Sequence, residues 1–199
     1  MVSAAKLRRA KDRAEAARPY AEKMASIVAS VAASQSAKSS GNHLMNGTGK
    51  SDTHLIVVMT SDRGLCGAFN SSITRATKRK ASELRRAGKD VKLFCVGKKA
   101  YDLLKADFGH AITGRLADIG RKQISYNDAE HVARAVLKQY EGGNIDVVHI
   151  VYNHFNSAIS QVVTFQQIIP LESPETEGTA NAGSNLLYEF EPDEDEIHT

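Results

Sequence analysis

The 199-residue sequence predicts an α/β protein with a mostly parallel sheet, preceded by a long coiled-coil helix. Three observations carry that prediction. Short runs with no polar alternation, HLIVVMT at His54–Thr60, VKLFCV at Val91–Val96 and DVVHIVY at Asp146–Tyr152, read as strands covered on both faces. Helical stretches lie between them, and an alternation of strand and helix is the pattern of a parallel sheet. Ahead of them all, Leu7, Ala10, Ala14, Ala17, Ala21, Met24, Val28 and Val31 recur at alternating spacings of 3 and 4. That is an a/d seam held for almost four heptads.

The first helix is expected from Ser3 to about Ser34, within a segment 1–36 rich in alanine, the strongest helix former. Its length would be roughly 45–50 Å at 1.5 Å per residue. Half of the seam positions are alanine, so a partner helix must come close or be bulky itself. Pro19 removes one backbone hydrogen bond and favours a kink, but the heptad phase runs through it, so one kinked helix is expected. A seam of this reach extends past any domain this chain can form. No second helix in the sequence matches it, so its partner is expected from outside these residues.

Residues 37–53, rich in Ser, Gly and Asn, read as a linker to a domain at 54–171. After the first strand come a turn and a helix from about Ala68 to Ala87, ended by Gly88. Val91–Val96 is followed by a short helix at Lys98–Asp107, and Ala111–Arg115 reads as a further strand. Ser125 and Asp128 open a helix that runs to Tyr140, and Asp146–Tyr152 is the next buried strand. Gln161–Pro170 closes the domain. Asn153–Ser160 is too short for a crossover helix, so the last two strands are expected as an antiparallel hairpin at the sheet edge. The whole is a doubly wound, Rossmann-like domain. Residues 172–199 read as an acidic tail leading toward a missing C-terminal helix.

Composition excludes several classes. A hydrophobic share of 42% excludes wholesale disorder, and no apolar run approaches the roughly 18 residues of a membrane span, so direct membrane insertion is not expected. Two cysteines exclude a disulfide scaffold. The basic start, MVSAAKLRRAK, lacks the apolar core of a secretory signal. The net charge of +3 is unevenly spread. Residues 1–38 carry eight Lys and Arg against three acids, a net +5, and residues 172–199 carry nine acids and no Lys or Arg.

Several features imitate active sites. The turn Ser61-Asp62-Arg63-Gly64-Leu65-Cys66-Gly67-Ala68-Phe69-Asn70 joins strand to helix, where α/β folds hold phosphate. It has only the Gly64-x-x-Gly67 half of a dinucleotide fingerprint and no Gly-Lys-Ser/Thr. Ala68 stands where a nucleophile elbow needs glycine, and no local histidine serves Cys66 as a base. The turn is therefore read as structural, with glycines for tightness and Asp62 or Asn70 as the cap of the following helix. The histidines lack ligand spacing, so no metal and no cofactor is expected. The basic helix Arg75, Lys78, Arg79, Lys80, Arg85, Arg86 carries no interleaved aromatic, and a solvated or protein-contacting face outweighs nucleic-acid binding. A small nucleotide-binding enzyme and a basic nucleic-acid module remain the alternatives.

The string Met59-Thr60-Ser61-Asp62-Arg63-Gly64-Leu65-Cys66-Gly67-Ala68-Phe69-Asn70 resembles the hallmark turn of the F-type ATP synthase γ subunit. Met1–Ala10 and Ala17-Arg18-Pro19-Tyr20-Ala21-Glu22 resemble that family's N-terminal helix. Ile159–Val162, Ile169-Pro170-Leu171 and Tyr188-Glu189-Phe190-Glu191-Pro192 resemble its later signposts. Alanine at position 68 replaces the family's usual glycine. The resemblance implies a central-stalk rotor with no bond chemistry of its own. Its partners would be the α and β subunits of the catalytic ring, the ε subunit and the membrane rotor ring of c subunits. Its place would be the inner face of the bacterial cell membrane, peripheral on the cytoplasmic side, with an organellar equivalent left open. The missing seam partner would be the family's C-terminal helix, so the chain resembles one truncated at both ends and unable to couple rotation. Lys6, Arg8 and Arg9 would offer positive charge to acidic loops of the ring. Asp62, Arg63, Gly64, Gly67 and Asn70 would hold the turn.

Overall fold

The computed structural model describes residues 2–33, 43–119, 124–142, 144–157 and 159–171. The chain divides into two compact units, one of which runs from His43 to Leu171.

The other unit contains α1, Val2–Ala33, a single 32-residue helix with Pro19 inside it. Side chains of the seam stand open to solvent: Leu7 is 54% and Met24 41% exposed, and Ala10, Ala14, Ala17 and Ala21 are exposed as well. Lys11 and Glu15 form an i,i+4 ion pair at 3.5 Å, worth a few tenths of a kcal/mol. The helix therefore stands on alanine propensity and carries an apolar stripe.

The second unit begins with one turn of helix, α2 (His43–Asn46), and then β1 (Thr53–Met59). There follow α3 (Phe69–Arg86), β2 (Asp90–Val96), α4 (Lys98–Phe108), a 3-10 turn at Gly109–Ala111 and β3 (Ile112–Leu116). The unit ends with α5 (Tyr126–Glu141), β4 (Val147–Phe155) and β5 (Gln161–Ile169). The sheet order is β3-β2-β1-β4-β5, with β1 at its centre. The four strands β1 to β4 are parallel, and β5 runs antiparallel to β4 at the edge, as the short connection required.

Strand alternation sorts the core into two layers. Ile56 and Val58 of β1, with Leu93, Cys95 and Val151, face Ile73 and Ala81 of α3 and Ala100, Leu104 and Phe108 of α4. Leu55 and Val57, with Phe94, Val96 and Val148, face Val136 and Tyr140 of α5. β1 is buried along five consecutive residues, which is why its sequence shows no polar alternation. Thr74 and Thr77 lie buried on α3 and are satisfied by bonds from their hydroxyls to the Asn70 and Ile73 carbonyls. The helix expected to open at Ser125 does so, with Ser125 and Asp128 forming a capping box whose two halves bond reciprocally.

Residues 43–53 differ from the linker expected of their composition. They belong to the folded unit and are bonded to it by the Tyr140 hydroxyl, the Asp146 carboxylate and the Lys89 ammonium. Residues 34–42 and the acidic tail 172–199 lie outside the described residues.

Candidate functional site

The turn from Thr60 to Asn70 is braced from within. The Asn70 side-chain carbonyl accepts from the Ser61 amide at 3.0 Å, and its Nδ2 donates to the Arg63 carbonyl at 3.0 Å. The Ser61 hydroxyl sits 2.6 Å from the Arg63 carbonyl and 3.1 Å from Asn70 Oδ1. Asn70, buried in the first turn of α3, thus ties both ends of the loop together.

Neither residue expected to cap α3 does so. That helix starts at Phe69, after Ala68 as its N-cap, with no side-chain cap. Asp62 instead accepts from the Lys98 amide at 2.8 Å, at the start of α4, where a carboxylate also opposes the helix dipole. Thr60 Oγ1 accepts from the Ala100 amide at 2.8 Å in the same helix turn. The reason is spatial: β1 and β2 are adjacent and parallel, so the turn after β1 lies beside the start of α4.

At the tip, Leu65 and Gly67 adopt positive φ of 58° and 56°. Gly67 takes that conformation freely, whereas Leu65 is held in it by the braced loop. Its side chain is fully exposed. Arg63 and Gly64 are exposed too, and the Lys99 side chain lies against Gly64. The Cys66 thiol faces the carbonyls of Gly64 and Arg63 at 3.3 and 3.6 Å, with no histidine bonded to it. With Leu65 exposed at its tip and Asn70 bracing it from within, the geometry is that of a presenting loop.

The three N-terminal cations sit on α1. Arg8 and Arg9 are exposed and form no ion pair among the described residues, while the Lys6 side chain lies outside them. The basic face of α3 is partly used within its own domain. Lys78 pairs with Asp107, and Arg85 reaches His110 at 2.9 Å and lies 4.9 Å from the Phe108 ring. Arg75, Arg79 and Arg86 remain exposed.

Sequence spacing missed one constellation. His54 and His149 are 95 positions apart, yet His54 Nδ1 lies 3.1 Å from His149 Nε2. The rings are within 2° of parallel with centroids 5.4 Å apart. A nitrogen contact that short at such a centroid separation means the imidazoles meet edge to edge through one hydrogen bond, not face to face. His54 Nε2 lies 3.1 Å from the Ser51 carbonyl, to which it donates, leaving Nδ1 to accept from His149. No group of three or more His, Cys, Asp or Glu able to hold a metal occurs among the described residues.

Burial, then the neighbouring His54, then Lys80, push His149 down from 6.5 to about 4. Burial also lowers His54, partly opposed by its bond to Ser51. Both rings are therefore neutral when folded at pH 7. Between about 4 and 6.5 the unfolded chain binds protons that the native pair does not, so stability is full above pH 6.5 and falls on acidification. The expected loss at His149 is up to about 3 kcal/mol by pH 4. Urea unfolding across this window should show it, and His149→Asn should flatten the profile.

The family model described as ATP synthase matches residues 1–199. The ATP synthase gamma chain of Rhodospirillum rubrum is 48% identical over 202 residues, covering 99% of this chain and 68% of that protein. That of Paramagnetospirillum magneticum is 45% identical over 197 residues, covering 99% and 67%. The chain thus spans about two thirds of the length of these relatives. Among solved structures, the central stalk and c-ring of the Tetrahymena thermophila mitochondrial ATP synthase contains a similar chain. The TM-score is 0.67 at 30% identity, over 85% of this chain and 70% of that one.

Proposed function

The chain belongs to the ATP synthase gamma-chain family, and from that membership we propose that it works as a non-catalytic, central-stalk rotor element. Rotation of the membrane ring would be carried to the α and β catalytic subunits, forcing their sites through successive states. The observation that carries this reading is the open seam of α1: a continuous helix of 32 residues with its apolar stripe exposed is a half of a coiled coil. Torque needs a stiff rod on an anchored base, and the α/β unit with its two-sided core supplies a base that does not deform easily. The proposed division is a shaft at 1–36, a foot that takes in the folded unit at 43–171, and an acidic segment at 172–199.

The ε subunit and the c ring are the partners proposed for the foot, and the inner face of the bacterial membrane is the proposed location. No helix among the described residues is long and apolar enough to cross a membrane. The braced turn at Asp62, Arg63, Gly64, Gly67 and Asn70 would present Leu65 to a partner without an ordering cost. Lys6, Arg8 and Arg9 would face acidic loops of the ring. Charge reversal at all three should lower coupled ATP hydrolysis and proton pumping in the assembled synthase. Unchanged rates would remove these residues from the interface. Titration calorimetry with ATP, NAD and a short duplex should detect no appreciable binding, and a bound nucleotide would favour an enzyme instead.

A further inference from the structure

The five-stranded sheet ends in two edges that are unlike each other. β3, at one end, is five residues long, and its register with β2 breaks between Leu93 and Phe94. It also carries the exposed Arg115. Shortness, a bulge and a charge are devices by which natural sheets keep foreign strands off an edge. β5, at the other end, has none of them along most of its length. It is nine residues long, and Gln161 to Gln167 pair without interruption with Phe155 to His149 of β4. Its one register shift comes beyond them, between Val148 and His149 of β4. From Gln161 to Ile169 it contains no Lys, Arg, Asp, Glu or Pro. Among the described residues no strand pairs with its outer side.

A strand in an antiparallel pair turns both the amide and the carbonyl of alternate residues away from its neighbour. Over the regularly paired stretch, about 23 Å at 3.3 Å per residue, about three or four residues of β5 offer both groups outward. We propose that this outer edge receives an extended strand from a different subunit, which continues the sheet alongside Gln161–Gln167. The proposal rests on the rotor reading and deepens it, by naming a surface through which the foot is joined to a neighbour. Main-chain bonds would supply the affinity, and the flanking side chains would select the strand. On the α3 face those are Val163 and Phe165, which pack against the core. On the opposite face they are Val162, 50% exposed, with Thr164 and Gln166. The strand that fits is therefore uncharged, apolar and β-branched or aromatic on one face, and small or polar on the other. A charge on it would meet no opposite charge on β5. A second copy of this chain also carries such a strand, but a single shaft at the centre of a ring leaves no place for one.

The test compares hydrogen exchange along Gln161–Gln167 in the chain alone and in ATP synthase assembled around a gamma chain bearing this sequence. In the chain alone, the alternate amides bonded to β4 should exchange slowly and the outward set fast. On assembly the outward set should slow by about a hundredfold. A helix or loop laid over the edge would bury Val162 without slowing those amides. Thr164→Lys gives β5 the kind of guard that Arg115 gives β3. It should prevent the slowing and lower the yield of assembled synthase by about tenfold, with the amides of β1 and β4 as protected as before. Thr164→Val removes the Thr164 hydroxyl bond to the Val162 carbonyl at 3.2 Å without adding a charge, and should assemble as the unmodified chain does. An outward set that stays fast in the synthase overturns the proposal, and so does one already slow in the monomeric free chain. Dimers of the free chain that Thr164→Lys disperses would overturn it as well, giving the edge to a second copy. Failure of the unmodified chain to assemble would instead overturn the rotor reading.

Discussion

Gly97→Ala is expected to destabilise the α/β unit by about 4 kcal/mol or more, the largest effect of any single methyl group in it. Gly97 joins β2 to α4 at φ 92° and ψ 142°, a conformation essentially confined to glycine. An added Cβ would stand 2.3 Å from the Thr60 carbonyl oxygen and 2.8 Å from Thr60 Oγ1. Neither can retreat: the Thr60 amide donates to Val96, Oγ1 caps Ala100, and the Gly97 amide donates to Leu116. The ends of three strands and the start of α4 are tied at this point. Gly88→Ala is the matched control. Its φ of +78° carries similar strain but its Cβ would meet nothing within 4 Å, so it should cost only about 1 kcal/mol. Urea melts followed by far-ultraviolet circular dichroism would separate the two. Equal losses would show that the close approach to Thr60 carries no cost.

Placing glutamate at two seam positions, Ala17→Glu with Ala21→Glu, is expected to abolish incorporation of the shaft into the synthase. Both residues are exposed here, so the helix and the folded unit should lose less than about 0.5 kcal/mol each. In a coiled coil they would meet the partner helix at close range. An unpaired carboxylate buried there costs several kcal/mol, and two of them prevent the pairing. Ala16→Glu adds one such carboxylate a residue off the seam and should assemble normally. Assembly of the double variant with undiminished coupling would mean that the stripe faces nothing.

What was legible in the sequence depended on range. β1, β2 and β4 announced themselves because strands covered on both faces have no polar alternation. The antiparallel edge followed from the short connection after Phe155, and the helix start at Ser125 from the polar residues Ser125, Asn127 and Asp128 that lead it. Long-range polar contacts left no such mark. Asp62 looked like a cap for the next helix in sequence, whereas its partner at Lys98 is 36 residues away and becomes near only through the β1–β2 pairing. His54 and His149 meet because β1 and β4 are neighbours, an order that the residues themselves do not reveal. Residues 43–53 have the composition of a linker because the groups that fasten them, Tyr140, Asp146 and Lys89, lie elsewhere in the chain. The cluster Lys6, Arg8 and Arg9 was visible as charge, but charge alone does not say what it meets.

The rotor reading also explains why an ordinary net charge of +3 hides a basic first segment and an acidic last one: pieces with different neighbours need not balance individually. The most direct test is stable association of this chain with the ε subunit and the c ring, followed by co-elution from a sizing column. A rotor foot should elute with both and bind neither ATP, NAD nor a short duplex. Elution alone, with measurable binding of one of those three ligands, would contradict it.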